Sequence, residues 1–172
     1  MPDIDPARNV IARNIDIVKL DSIDLRILDI LQQDATLQVA DVAAQVGLST
    51  TPCWRRIQRL KEAGVITRQV ALLDAQKVNV GVTVFVSVRT NQHSQDWFDT
   101  FKATVQAIPE VVEFYRMSGD VDYLLRVVVP DIAAYDRVYK RLIAGTQLHD
   151  VSSSFAMEEL KLTTALPLTY VR

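Results

Sequence analysis

Between residues 20 and 66, apolar side chains recur every three or four positions, which predicts three amphipathic helices. The apolar positions of the first two helices are Ile23, Ile27, Leu28, Ile30 and Leu31, then Val39, Val42, Ala43 and Val46. Asp21 or Ser22 can cap the first helix, and Gly47 can end the second one in a left-handed conformation. Two helices separated by such a tight turn, with a preceding helix to complete the core, predict a helix-turn-helix.

The third predicted helix separates an apolar face from a basic one. It begins after Ser49, a suitable N-cap, and runs to about residue 63, with Pro52 in the first turn where a missing N–H matters little. Its inward positions are Cys53, Ile57 and Leu60. Its outer positions are Thr51, Arg55, Arg59 and Glu62, and its flanks are Trp54, Arg56 and Gln58.

Positive charge is concentrated around this third helix, although the chain of 172 residues has a formal net charge of −2. The bases of residues 49–68 are Arg55, Arg56, Arg59, Lys61 and Arg68, against Glu62 alone. Residues 21–48 instead hold five aspartates and one arginine. A basic outer face suits the major groove of DNA, where Arg reads guanine and further bases hold phosphates. Any solvated helix can also carry a charged face, and a flanking Trp54 can complete a small core, so the pattern alone leaves both interpretations open.

From residue 81 onward, the pattern predicts alternating strands and helices. Strands are predicted at 82–88, at 111–118, at 122–129 and at 151–157, with a tight Gly119-Asp120 turn between the middle two. The apolar positions of the two helices are Trp97, Phe98, Phe101, Val105 and Ile108, then, after a capping Asp131, Ile132, Tyr135, Tyr139, Leu142 and Ile143. This order predicts a ferredoxin-like sheet with both helices on one face and the other face available to a partner.

Composition narrows the classes of protein that fit. The chain is 49% hydrophobic and 23% charged, so it can bury a core, and no apolar stretch approaches the ~20 residues of a membrane helix. The first ten residues lack the pattern of a secretory signal, so a cytoplasmic location is expected. Cys53 is the sole cysteine and only His93 and His149 are histidines, so no disulfide, metal site or cofactor is expected.

Residues 20–66 resemble the DNA-binding domain of the Lrp/AsnC family of transcriptional regulators. The matching positions are Leu20-Asp21, Asp24, Leu48-Ser49, Thr51-Pro52, Arg55-Arg56, Arg59-Leu60 and Gly64-Val65-Ile66, and the similarity continues to about Leu166. The resemblance implies an α+β chain, in which a winged helix-turn-helix precedes a ferredoxin-like βαββαβ domain. It implies a regulator of amino-acid metabolism that binds double-stranded DNA. The residues expected to contact DNA are Ser49, Thr51, Pro52, Trp54, Arg55, Arg56 and Arg59.

The stretch SGDVDYLLRVVVPD, residues 118–131, resembles the effector domain of the same family. Relatives pair through the open sheet face, assemble dimers into rings and bind a small amino acid between subunits, so a homodimer that assembles to an octamer is expected. The matching positions are Gly119, Asp120, Asp122 and Tyr123. Val121 stands where many relatives have an aromatic residue, which leaves the identity of the effector open.

An amino-acid effector carries an ammonium and a carboxylate on one carbon, and the sequence offers partners for both. Asp120 or Asp122 can meet the ammonium, and the backbone at Gly119 and the hydroxyl of Ser153 can meet the carboxylate. The expected apolar wall, which favours a neutral or aliphatic amino acid, is Met117, Val121 and Phe155. A hairpin turn needs glycine and aspartate in any case, so a purely structural role for this segment also fits the sequence.

These patterns divide the chain into four parts: an N-terminal extension (1–19), a helix-turn-helix domain (20–66), a connecting strand and hinge (67–80), and an effector-binding and oligomerisation domain (81–172). Two other functions compete with regulation. One is DNA packing without an effector. The other is a ferredoxin-like enzyme with Asp120 and Asp122 as an acid/base pair, although no His, Cys or Lys lies near them in sequence.

Overall fold

The computed structural model describes residues 18–144 and 148–171. Two compact units are formed: the first contains the described residues up to 70 together with those from 163 onward, and the second spans residues 71–162. The expected N-terminal extension lies outside the described residues, apart from its last two positions. Within the described residues, no helix has the length and apolar character needed to cross a membrane.

The first unit contains the three predicted helices, α1 (Ser22–Gln33), α2 (Val39–Val46) and α3 (Thr50–Glu62). The cap at Asp21 is confirmed: its carboxylate accepts from the Ile23 and Asp24 N–H groups, and the Asp24 carboxylate accepts from the Asp21 N–H. Gly47 ends α2 with φ of 74°, the left-handed conformation that a side chain disfavours. The core between the helices is formed by Ile27, Leu28, Val42, Ala43, Val46, Cys53, Ile57 and Leu60.

The C-terminal segment, residues 163–171, belongs to this first unit, whereas the sequence pattern placed it in the second domain. The side-chain amide of Gln32 donates to the Leu166 carbonyl at 3.1 Å and accepts from the Leu166 N–H at 2.9 Å. Leu168 packs against the helix-turn-helix core. These contacts join positions 134 residues apart, so no local periodicity predicts them.

Replacing Gln32 with Ala is expected to release the backbone of this segment, because both hydrogen bonds to Leu166 are lost at once. The amide hydrogen of Leu166 is then expected to exchange at least ~10-fold faster in hydrogen–deuterium exchange, since each such bond contributes about 1 kcal/mol. Gln33→Ala is the matched control, because Gln33 is the exposed neighbour of Gln32. Equal exchange at Leu166 in both variants would contradict the contact.

The second unit has the predicted order of strands and helices. Its elements are β1 (Val82–Arg89), α4 (Gln95–Gln106), β2 (Val111–Arg116), β3 (Tyr123–Val129), α5 (Ile132–Ile143) and β4 (Asp150–Phe155). The strands form one antiparallel sheet in the order β2-β3-β1-β4. Alternate residues of β1 and β3 are buried with both helices in one core, whose strand members are Val84, Val86, Val88, Tyr123, Leu125, Val127 and Val129. This arrangement confirms the ferredoxin-like prediction.

The intervening positions of the strands lie on the opposite, open face of the sheet. Phe85 stands at its centre, 40% exposed, and pairs across the strands with Arg126 and Ser154. Arg126 makes an ion pair with Glu113 at 2.7 Å, which satisfies both charges on this face. An exposed aromatic beside a neutralised ion pair gives the open face the mixed character of a protein–protein interface.

Two connections differ from the sequence-based prediction. Residues 67–80 contain no strand, since none of residues 67–73 makes a backbone ladder hydrogen bond within the described residues; Val70, Leu72 and Leu73 are exposed there. The hinge part forms a turn in which the Asp74 carboxylate accepts from the N–H groups of the two residues Gln76 and Lys77. The connection between β2 and β3 is also longer than a two-residue turn, and it spans residues 117–122.

Candidate DNA interface and effector site

The third helix presents most of its predicted DNA contacts to solvent. Cys53, Ile57 and Leu60 anchor α3 in the core of the first unit, so the side chains between them point outward. Burial raises the pKa of the Cys53 thiol, which therefore stays protonated in the core at neutral pH. The predicted contacts that are exposed are Ser49, Thr51, Pro52, Trp54, Arg55 and Arg59. Ser49 caps the helix by position alone, because its hydroxyl accepts no capping hydrogen bond.

Two of the α3 arginines are bound to carboxylates of α1. Arg56 contacts the Asp21 carboxylate at 2.7 Å and the Asp24 carboxylate at 2.8 Å, and Arg59 binds the other oxygen of Asp24. The side chain of Asp24 is only 1% exposed, whereas those of Arg56 and Arg59 are 28% and 51% exposed. Arg56 and Arg59 therefore differ from Arg55 in their surroundings, although the sequence grouped all three as DNA contacts.

The Asp21 carboxylate remains ionised at neutral pH. The hydrogen bond from the Asp24 backbone N–H, followed by that from Arg56, lowers the pKa of Asp21 below its ordinary value. A lowered pKa in the folded state means that the cap and the ion pair stabilise the fold at neutral pH. Their contribution is lost only as the pH falls through the lowered pKa of Asp21.

Arg55 lies at the middle of the outer face of α3. Thr51 lies one turn before it on the same face, and Glu62 follows two turns later. Among the described residues, Arg55 is exposed and has no carboxylate partner within ion-pair distance. A guanidinium in this position has all of its donors available to the edge of a guanine or to a phosphate.

Trp54 lies on the other flank of α3 from Arg56 and is half exposed. Its ring borders a groove of about 200 Å³ in the first unit. The groove residues are Leu31, Ala35, Leu37, Val39, Val42, Trp54, Ile57, Gln58, Lys61 and Gln69. Trp54 thus covers part of the core on one side and remains accessible on the other, so both of its predicted roles are compatible with its position.

The 117–122 turn is held to the sheet by its last residue. The Met117 N–H donates to the Asp122 carbonyl at 2.8 Å, and the Asp122 N–H donates to the Val88 carbonyl at 3.0 Å. One carboxylate oxygen of Asp122 accepts from the Thr90 N–H at 2.8 Å. Gly119 has φ of 115°, which a residue with a side chain rarely adopts. Asp122 therefore has a structural task as well as any role in binding, whereas Asp120 is exposed at the tip of the turn.

Three of the predicted effector residues lie apart from this turn within one chain. Tyr123 is buried in an aromatic cluster with Trp97, Phe98, Phe101 and Phe114. Ser153 and Phe155 lie on the helix-covered side of β4, where they contact the Tyr135 hydroxyl and the Tyr135 ring. Strand β1 separates β4 from β3, the strand that follows the turn. About two strand spacings, ~10 Å, therefore lie between β3 and the residues Ser153 and Phe155 on β4. The exposed or half-exposed group at the turn is Met117, Gly119, Asp120, Val121 and Asp122.

Comparison with known proteins identifies both units. Residues 20–67 match the family model of a winged helix-turn-helix DNA-binding domain, and residues 83–166 match that of the Lrp/AsnC ligand binding domain. The glutamate uptake regulatory protein of Zymomonas mobilis is 53% identical over 87% of this chain and 92% of its own length. The chain belongs to the Lrp/AsnC family. It is a DNA-binding transcriptional regulator of that family.

Solved structures of Lrp/AsnC regulators have the same fold. An AsnC family transcriptional regulator from Agrobacterium tumefaciens is 66% identical with a TM-score of 0.86, over 89% of this chain and 100% of that chain. A transcriptional regulator from Neisseria meningitidis, determined as a complex with L-Met, is 34% identical with a TM-score of 0.85, over 90% of this chain and 100% of that chain. The prediction of the Lrp/AsnC family from the sequence is confirmed.

The carboxylate of Asp24 is the feature of this Lrp/AsnC regulator that residue patterns did not reveal. Its signal was present in the sequence as the charge contrast between residues 21–48 and 49–68. The contrast indicated where acids and bases are concentrated, but not that they face each other across α1 and α3. Among the described residues, no group of three or more His, Cys, Asp or Glu side chains is arranged to hold a metal ion.

Proposed function

We propose that this chain is a sequence-specific regulator of amino-acid metabolism that reads DNA with α3 and responds to a small amino acid bound at the 117–122 turn. The observation that carries the proposal is Arg55, an exposed arginine without a carboxylate partner among the described residues, at the centre of the outer face of α3. The major groove admits a helix of this kind, and Arg distinguishes guanine there through two hydrogen bonds. Arg68 and Lys61, exposed near the end of α3, supply further charge for phosphates.

A homodimer is the smallest assembly that fits this function. One helix-turn-helix contacts few base pairs, so specificity requires two copies at half-sites one helical turn or a multiple apart. The open face of the sheet, with Phe85 at its centre, is the proposed pairing surface, because the two helices cover only the opposite face. Further association of dimers to an octamer is part of the same proposal.

The 117–122 turn offers what the head group of an amino acid needs. Asp120 is exposed, and Asp122 has one carboxylate oxygen that binds no described group, so an ammonium has an acceptor in either residue. The left-handed Gly119 leaves the backbone at the turn open to a carboxylate. Ser153 and Phe155 lie beyond β1 on the helix-covered face, so another subunit could supply them only through a contact other than the open sheet face. The L-Met complex of the relative from Neisseria meningitidis supports a neutral amino acid as the effector class.

Calorimetric titration of the common amino acids into the wild-type chain is expected to find one neutral amino acid that binds. Asp120→Asn or Asp122→Asn is expected to weaken its binding by at least ~10-fold, because each removes a charged acceptor for the ammonium while keeping the size of the side chain. In Asp122→Asn, the amide oxygen of the new side chain can still accept from the Thr90 N–H, so the turn is preserved.

Asp99→Asn is the matched control, since this exposed carboxylate of α4 loses the same charge and, within the described part of the chain, is hydrogen-bonded to Gln95 alone. It is expected to leave binding unchanged. If no amino acid binds to the wild type, or if the bound one alters neither assembly nor DNA affinity, the effector part of the proposal fails. A DNA-packing protein without an effector is then the function that remains.

A further inference from the structure

Asp24 is a buried carboxylate that accepts hydrogen bonds from three donors. One oxygen accepts from Arg56 at 2.8 Å, and the other accepts from Arg59 and from the Asp21 N–H at 3.1 Å. The side chain is 1% exposed, which makes it the most deeply buried charge in these ion pairs. A buried carboxylate is stable only with such partners, so the pairing also fixes where the two arginines lie.

The pairing divides the positive charge of α3 into two groups. Arg56 and Arg59 face two carboxylates, those of Asp21 and Asp24, so their charges are neutralised within the unit. Arg55 lies on the outer face without such a partner among the described residues. The charge that α3 offers to a DNA phosphate is therefore smaller than its arginine content suggests.

The same contacts restrain the orientation of α3. Arg56 and Arg59 lie one turn apart on the side of α3 toward α1, and both end on the first turn of α1. Because both guanidinium groups bind the buried carboxylate of Asp24, the two ion pairs oppose rotation of α3 about its axis. Readout of a base edge needs a side chain held within about 0.5 Å, and supporting contacts of this type provide such precision.

We propose that Asp24 is a positioning residue for DNA recognition: it orients α3 for base contacts and keeps Arg56 and Arg59 from binding phosphates of any sequence. This inference rests on the proposed docking of α3 in the major groove. Loss of the Asp24 charge has two opposite consequences. Specific binding weakens because α3 is less well oriented, and nonspecific binding strengthens because Arg59, already half exposed, is released toward solvent.

The test compares two DNA duplexes of equal length: one selected by the wild-type chain from a random library, and one with the same bases in shuffled order. Asp24→Asn is expected to weaken binding to the selected duplex at least ~10-fold and to tighten binding to the shuffled duplex ~3-fold. The slope of log K against log salt is expected to steepen by about 0.9 for each additional phosphate that the variant binds. In the double variant with Arg59→Gln, the tighter binding to the shuffled duplex is expected to disappear.

Asp29→Asn is the matched control, because it removes one charge from the same helix at a carboxylate whose only hydrogen-bond partner among the described residues is Gln32. It is expected to change both affinities by the same factor.

If Asp24→Asn does not fold, Asp21→Asn takes its place, since the Asp21 side chain is half exposed and its loss also frees Arg56 in part. A variant that weakens both duplexes equally with an unchanged salt slope, or changes neither, overturns the inference. A wild type that does not prefer its selected duplex refutes the proposed function instead.

Discussion

Replacing Arg55 with Ala is expected to weaken binding to a selected DNA duplex by about 1–3 kcal/mol, or about 5–150-fold. Arg55 is exposed at the centre of the outer face of α3, and none of its donors meets a carboxylate in the described residues. If the contact is to a base, binding to a shuffled duplex falls much less. If the contact is to a phosphate, both duplexes lose affinity equally and the salt dependence becomes shallower by about 0.9. Fluorescence anisotropy at several salt concentrations distinguishes the two cases.

Arg137→Ala is the control for Arg55, because it removes another exposed arginine, from α5 in the second unit. It is expected to leave DNA affinity unchanged.

Arg59→Ala is expected to weaken binding to the selected duplex less than Arg55→Ala does. The sequence predicted both arginines as DNA contacts, but the guanidinium of Arg59 is bound to Asp24. Unchanged affinity in Arg55→Ala, with folding intact, would show that α3 does not dock through its outer face.

Phe85→Lys is expected to separate the subunits, with a dimer dissociation constant raised at least ~100-fold. Phe85 lies at the centre of the open sheet face beside Arg126, so the substitution replaces an apolar anchor with a charge of the same sign as its neighbour. In the proposed homodimer, each subunit contributes the same defect to a symmetric interface. Sedimentation over a range of protein concentrations measures the change, and binding to two half-sites is expected to weaken with it.

Ile132→Lys provides the comparison for Phe85→Lys. Ile132 is an apolar residue at the start of α5, 70% exposed, on a helix that covers the opposite face of the sheet. The variant is expected to dimerise like the wild type. If Phe85→Lys remains fully dimeric at concentrations where the wild type is dimeric, the open sheet face is not the pairing surface.

Hydrophobic periodicity was sufficient for the elements that bury one regular face. The apolar stripes of α1, α2 and α3, and the alternating valines of β1, lie in the two cores as predicted. The caps at Asp21 and Asp131 and the stop at Gly47 were also predicted, because each depends on residues within one turn of the element. In these elements, the capping residues and the buried apolar face both predict the same helix or strand.

Contacts between distant residues were not predicted. The pairing of Asp24 with Arg56 and Arg59 joins positions more than thirty residues apart, and the contact of Gln32 with Leu166 joins positions 134 residues apart. Such pairs depend on how helices pack, which a periodic pattern does not specify. The prediction of a connecting strand within residues 67–80 was wrong for a related reason. A pattern of side chains does not show whether a second strand is present to form hydrogen bonds with the first.

The proposed effector site shows the same limit within one sheet. The turn residues Gly119, Asp120 and Asp122 lie together because they are adjacent in sequence, and their role in binding stays a prediction. Ser153 and Phe155 were added by residue type, but the order β2-β3-β1-β4 puts another strand between them and the turn. Tyr123 matched the family pattern, yet its place in the buried alternation of β3 gives it a core position.

The most direct measurement is sequencing of the DNA that the wild-type chain retains from a random duplex library. A homodimer that reads base edges with α3 of each subunit is expected to enrich one sequence. That sequence is expected to contain two related half-sites, about one helical turn or a multiple of it apart. A retained pool with the same composition as the starting library would contradict sequence-specific recognition, which is the central claim for this protein.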